Sequence, residues 1–348
     1  MEKKINKHSF RPIAIMFLLA IFLVMSTYAW FTSNKLVKVN SLEIHVQASE
    51  GLQISLDATN WKALIETSEI MGDEVNNQYG ANKNHIPDNM TPVSTATTTD
   101  PSTGFMNMYF GSVSLDAASS EYVITANKDT EEKGGNEGYI AFDLFFKINY
   151  DVYLYLEKTS DVVDIGEGTR AGKGIENAAR VGLVDQGNVS ADSPLTGNAL
   201  VSTAQGLRYT DYQDGRNVTI WEPNYLSHTE EAKTEVFNMY GISPSSSIWD
   251  SRIKYDGIYN EITEPPILLT QANEAQSPNY FKAIPDTRIV ATPADRTDDA
   301  DTGITLKAGI TKMRVYMWLE GQDYDCGDSA SGSDARFDLT FTVVRVNP

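Results

Sequence analysis

The chain has 348 residues, 41% of them apolar and 22% charged, with a formal net charge of -19. Such an acidic balance repels nucleic-acid phosphates and anionic lipid headgroups, which argues against both as partners; the apolar fraction supplies a packed core, which argues against general disorder. Cys326 is the only cysteine, so no intramolecular disulfide can form.

Residues 13–31, IAIMFLLAIFLVMSTYAWF, carry no charge and follow Lys3, Lys4, Lys7 and Arg11. A basic start, an apolar stretch and then small residues is the layout of a bacterial secretory signal. Thr27 and Ala29 occupy the positions a signal peptidase reads, and Trp30 becomes the first mature residue. An uncleaved membrane anchor is the alternative, because at about 1.5 Å per residue the stretch nearly spans a hydrocarbon layer of roughly 30 Å. Both readings place the remainder outside the cytoplasm by the positive-inside bias. The expected layout is residues 1–29 as signal peptide or anchor and residues 30–348 as one elaborated β-domain.

Val37 and Val39 alternate with polar residues, and Leu42, Ile44, Val46 and Ala48 continue in the opposite phase, so the strand must bulge or turn near Asn40 and Ser41. Leu52, Ile54 and Leu56 alternate again, and the two runs are expected to pair as a hairpin at a sheet edge. Residues 57–104 read as a polar surface insertion with a short helix near residues 61–65. Strands follow at residues 105–115 and 122–126. From Ile140 to Leu156 every second residue is apolar or aromatic, far longer than the five or six residues of an average strand. A switch from one sheet to another around residues 149–151 is the economical interpretation. Insertions are expected at about 158–216, which includes a short strand at residues 181–184, and at about 242–301. Between them Val218 and Ile220 mark a strand. Ser227 followed by Glu230 has the spacing of a capping box and opens a short helix of about eleven residues ending at Gly241. Finally, Met313, Val315, Met317 and Leu319, and then Phe337, Leu339, Phe341 and Val343, mark two strands expected to pair with each other. The fold class expected is all-β, a β-sandwich with long polar insertions and an apolar helix at its N-terminal end.

Chemistry is sparse. The loop between the last two strands gathers Asp323, Asp325, Asp328 and Asp334; it lacks the glycine and glutamate of an EF-hand and reads as a solvated acidic turn, with a looser calcium site as the alternative. Glycines and Lys173 in DIGEGTRAGKGIEN miss the spacing of a phosphate-binding loop. His45 shares a solvated strand face with Glu43 and Gln47, His85 falls in an Asn-rich loop and His228 at a helix entrance, all far from any cysteine. Glu222 and Glu320 could pair as glycosidase carboxylates, the only hydrolase arrangement found. Trp61, Trp221 and Trp249 would offer stacking surfaces to a sugar if exposed.

STYAWFTSNKLVKVNSLEIHVQA, an apolar run ending in Thr27, Ala29 and Phe31 and passing directly into alternating strand, resembles the start of the TasA and camelysin-like exported proteins of Gram-positive bacteria. The resemblance covers about the first 45 residues. It implies maturation by a dedicated signal peptidase and a jelly-roll-like sandwich; the strand pattern alone leaves an Ig-like sandwich as the alternative. It also implies a secreted or cell-surface structural role among envelope or matrix components, with polymerisation by strand donation through residues 30–46. The rival functions are a membrane-anchored carbohydrate-binding adhesin and, less favoured, an extracellular hydrolase.

Overall fold

A computed structural model describes residues 37–46, 51–71, 84–99, 103–116, 121–129, 131, 138–167, 174–209, 217–223, 259–262, 267–268, 281–283, 289–291, 299–321, 325–326 and 332–346. In chain order the strands begin with β1 Lys38–Val46, β2 Gln53–Ser55, β3 Leu64–Ile65, β4 Ser94–Thr99, β5 Met106–Asp116 and β6 Glu121–Asp129. There follow β7 Tyr139–Ile148, β8 Val152–Leu156, β9 Asp161–Asp164, β10 Ala179–Ser190 and β11 Val218–Glu222. The last are β12 Tyr259–Ile262, β13 Ile267–Leu268, β14 Phe281–Ala283, β15 Ile289–Ala291, β16 Ala300–Leu306, β17 Gly309–Leu319 and β18 Asp334–Arg345. The described helices are α1 Thr67–Met71, α2 Ile175–Ala178 and α3 Gly197–Gln205. The fold is all-β, as its alternations require. Among the described residues no helix is long and apolar enough to cross a membrane.

Two six-stranded sheets carry the core. The first has the order β16-β8-β18-β1-β3, with β9 also on β18; the second has the order β15-β11-β10-β17-β7-β2. Their inner faces share one cluster that joins Leu42 and Ile44 of β1 and Phe337, Leu339 and Phe341 of β18 to Phe142 and Phe146 of β7 and Val315 and Met317 of β17. Phe146 and Phe341 meet edge to face across it at 5.2 Å. At one side the sheets approach through β11 and β16, where Thr219 Oγ1 donates to the Thr302 carbonyl at 3.3 Å.

The long run 140–156 does switch sheets: β7 lies in the second sheet and β8 in the first, separated by a bend at Asn149 and Tyr150. The phase change in β1 is also a bulge, a register shift against β18 between Val39 and Ser41. Two pairings differ from expectation. β1 and β2 form no hairpin: β1 pairs in parallel with β18 and antiparallel with β3, whereas β2 joins β7 in the other sheet. β17 and β18 are not partners either, since β17 lies between β10 and β7. Alternation fixes which face a residue takes and leaves the partner strand open.

A third layer covers the second sheet. β5 pairs with β6 from Met108 to Asp116, and the two join β4 and β13 in a four-stranded sheet; β12 and β14 form a separate pair. Met106 and Met108 of β5, with Val93, pack on Tyr139, Ala141, Val184, Tyr316 and Trp318 of the second sheet's outer face. Farther along that face Ala204 of α3 packs with Phe145, Val189 and Ile310. Consequently the stretch 57–104, expected as surface, contributes Ile65, Ile70, Met90 and Val93 to the interior, its helix is α1 rather than residues 61–65, and 158–216 supplies the central strand β10. The helix expected after Ser227 lies outside the described residues. Gly309 opens β17 at φ +125, where a Cβ would stand 2.0 Å from the Val189 carbonyl oxygen. Only glycine passes that turn.

Candidate functional site

The outer face of the second sheet holds a ladder of charged side chains between its two coverings. Arg314 of β17 stands directly opposite Asp143 of β7, and the antiparallel pairing delivers its Nη1 to Asp143 Oδ1 at 2.9 Å. Glu131, in the connection after β6, bonds the same guanidinium through Nη2 and through Nε, the latter at 3.3 Å. Lys312, two residues earlier on the same face, lies 3.4 Å from Asp143 Oδ2 and donates to the Gln205 carbonyl at the end of α3 at 2.8 Å. Tyr316 donates to Glu131 Oε1 at 2.7 Å and accepts from the Met106 amide at 2.9 Å, tying the ladder to β5. The Phe105 ring covers the guanidinium at 4.2 Å.

Two cations face two anions, and all four side chains are buried. Burial opposes the charge on Arg314, but Glu131 and Asp143 outweigh it and hold its pKa well above the usual range. Burial lowers the Lys312 pKa, with Asp143 acting against the shift. Burial, then Glu131, raises the Tyr316 phenol well above its ordinary value, and burial with Glu131 and Asp129 does the same to Tyr139. A ladder so arranged turns its charges toward one another rather than toward solvent. Removal of Arg314 would strand Glu131, and removal of Asp143 would strand Lys312, away from water.

A second buried pair lies on the same sheet. Arg180 Nη2 of β10 is 2.8 Å from Glu222 Oε1 of β11, and its Nη1 donates to the carbonyls of Asn177 and Ala179 at 2.7 and 3.0 Å. Glu320 is equally buried and accepts from Trp318 Nε1 at 3.2 Å. Glu222 and Glu320, the pair considered for glycoside cleavage, are thus both sealed inside and engaged with the protein's own donors. A glycosidase needs its two carboxyls on either side of an accessible bond.

The acidic loop is divided. Asp325 is buried, 4% exposed, and accepts from Asn177 Nδ2 at 3.2 Å, so it is not the solvated turn residue expected. Asp334 begins β18 opposite Lys38, and its carbonyl accepts from the Ile165 amide at 2.8 Å. Asp323 and Asp328 lie outside the described residues, as do Thr27, Ala29 and Trp30. Among the described residues no group of three or more His, Cys, Asp or Glu is placed to hold a metal ion. Trp221 is buried in the core, which removes it as a stacking surface; Trp61 is half-buried with Lys147 Nζ 5.3 Å from its ring centre, and Trp249 lies outside the described residues. His45 sits on the half-exposed face of β1 beside Glu43 at 3.3 Å, as its parity requires, while His85 is buried with its ring 4.9 Å from Tyr139.

The ladder was missed because Lys312, Arg314, Tyr316 and Trp318 look like the wet side of an amphipathic strand. Their sizes carried a signal. Arg, Tyr and Trp have large apolar bodies that repay burial, unlike the Thr and Asp at the same parity of β18.

Among the described residues, the outer face of the first sheet carries exposed aromatic and apolar side chains. Tyr153 of β8, 43% exposed, stands directly opposite Val344 of β18, 54% exposed; Tyr155 stands opposite Thr342, and Thr305 of β16 flanks Tyr153 on its other side. No protein-family model, curated protein or solved structure matches the chain.

Proposed function

We propose that the protein is an exported, non-catalytic structural protein of the cell exterior, made as a precursor whose residues 1–29 direct it there, with its two-sheet core arranged as a jelly-roll-like or Ig-like sandwich. The observation that carries the reading is the fate of its charged groups. The Arg314 ladder, the Arg180–Glu222 pair and Glu320 are spent on holding layers together, the economy of a scaffold rather than of a site that must meet a substrate. The TasA-like start of the chain supports an extracellular address and a signal peptidase as the first partner, with envelope or matrix components after it. In this structure β1 completes its own chain's sheet. Exchange of β1 between copies would rebuild the same contacts in trans, so strand donation stays within the proposal as a route to polymers. Mass spectrometry of protein from the culture medium and cell wall tests the export step: an end at Trp30, or within a residue or two, supports it, and unprocessed protein confined to the cytoplasm contradicts it. Light scattering then separates monomer from polymer.

A second reading, a carbohydrate-binding adhesin, is favoured by one observation: the exposed Tyr153 and Val344 and the half-exposed Tyr155 lie together on the outer face, flanked by the hydroxyls of Thr305 and Thr342, with Asp301 opposite Tyr155. Phenol rings flanked by hydroxyls suit a neutral sugar, which stacks and hydrogen-bonds at once. Retention on purified cell-wall polysaccharide should fall about tenfold in Tyr153→Ala, an effect on the order of 1.4 kcal/mol. Equal retention of the variant and the native protein would remove this reading.

A further inference from the structure

We propose that β1 and β18 form a clasp that resists tension applied between the two ends of the chain. β1 is the first described element and β18 the last, and they lie side by side in parallel, in register from Lys38 opposite Asp334 to Val46 opposite Phe341. The chain therefore enters β1 at one end of the pair and leaves β18, past Arg345, at the other. A pull on the N-terminal side draws β1 along its axis toward the Lys38 end, and a pull on the C-terminal side draws β18 the opposite way. The two strands are sheared, and every ladder hydrogen bond between them is loaded at once. An antiparallel pair would receive both forces at one end and open bond by bond.

Three features oppose sliding. The inward side chains Leu42, Ile44, Phe337, Leu339 and Phe341 are fully buried in the common core. A slip of one residue would turn them to the outer face, so the nearest compatible register lies two residues away, about 6.6 Å along the strand. The bulge between Val39 and Ser41 sets two residues of β1 against one of β18 and fits only one register. Both strands are also held from their far sides. β18 is paired with β9 over Ala335–Asp338 and with β8 over Phe341–Arg345. Val37, just before β1, exchanges backbone bonds with Met90, Thr67 Oγ1 exchanges bonds with the amide and carbonyl of Leu42, and the Val46 amide donates to the Ala63 carbonyl at 2.9 Å. Short segments from 62–90 thus brace the outer edge of β1. The clasp goes beyond the structural reading and does not rest on it: it would protect the fold wherever the N-terminal side is held and load arrives from the other side.

The test is single-molecule force spectroscopy on the full chain pulled in two directions. In one, handles are placed at the two ends. In the other, the second handle is a bio-orthogonal residue replacing Ser331, which precedes β18 in sequence, so that the same strand pair is peeled from its Lys38–Asp334 end. At equal loading rate the end-to-end pull should rupture at a force at least about twofold higher, since forced unfolding is governed by the barrier along the pulled direction. Leu42→Ala should lower the end-to-end force and leave the peeling force nearly unchanged. Thermal midpoints of both tagged proteins matching the untagged chain would show that the handles leave the fold intact. Equal forces in the two directions, or a weaker end-to-end pull, would overturn the clasp, and neither outcome bears on export.

Discussion

On the outer face of the second sheet, Lys312, Arg314, Tyr316 and Trp318 of β17 are buried beneath β5 and α3; on the outer face of the first, Asp338, Thr340 and Thr342 of β18 stay half-exposed and Val344 is open. Both strands alternate with period two and both send their apolar parity into the same core. What separates them is the third layer, and it changes the meaning of charge. Arg314 must be neutralised because water cannot reach it, whereas Arg336, half-exposed beside Asp338 at 2.9 Å, gains less from its partner.

The largest effect should come from breaking the covered face. Arg314→Met leaves Glu131 buried without its cation and Asp143 with Lys312 alone, and should cost about 3–5 kcal/mol, read as a lowered denaturation midpoint. A smaller, pH-dependent effect is expected at Asp185 of β10. Burial raises its pKa, opposed by the bond it accepts from the Gly187 amide. The folded state then holds the proton more tightly than the unfolded chain does. The stability due to that proton is fully present below the unfolded value of about 3.9 and is lost as pH rises through the raised folded value. Asp185→Asn should therefore raise the melting temperature at pH 7, with the advantage shrinking to nothing as the pH approaches about 4. Melting curves of both proteins across that range check it, and an advantage independent of pH would contradict it. The smallest change belongs to the open face: Thr342→Val should alter stability by no more than about 0.5 kcal/mol.

Much of the strand inventory was legible. The sheet switch at Asn149 and Tyr150, the bulge near Ser41 and the strands that became β5 and β6 all follow from local alternation and its interruptions. Partnership was not legible, because β1 finds β18 almost the whole chain away and no local signal marks a parallel pair of that separation. The candidate site was hidden for the same reason. Arg314 comes from a stretch distant from Glu131 and Asp143, and only strand register brings it opposite Asp143. Asp325 shows the converse, a residue expected in a wet loop that Asn177 holds inside.

Amide hydrogen exchange tests the central claim, that the second sheet is sealed on both faces and its charges serve the fold. Peptides covering β17, Gly309–Leu319, and β7, Tyr139–Ile148, should exchange only through global unfolding, far more slowly than the edge strand β16, Ala300–Leu306. Exchange of β17 as fast as that of β16 would mean that its outer face opens to water, and the sealed ladder would have to be given up.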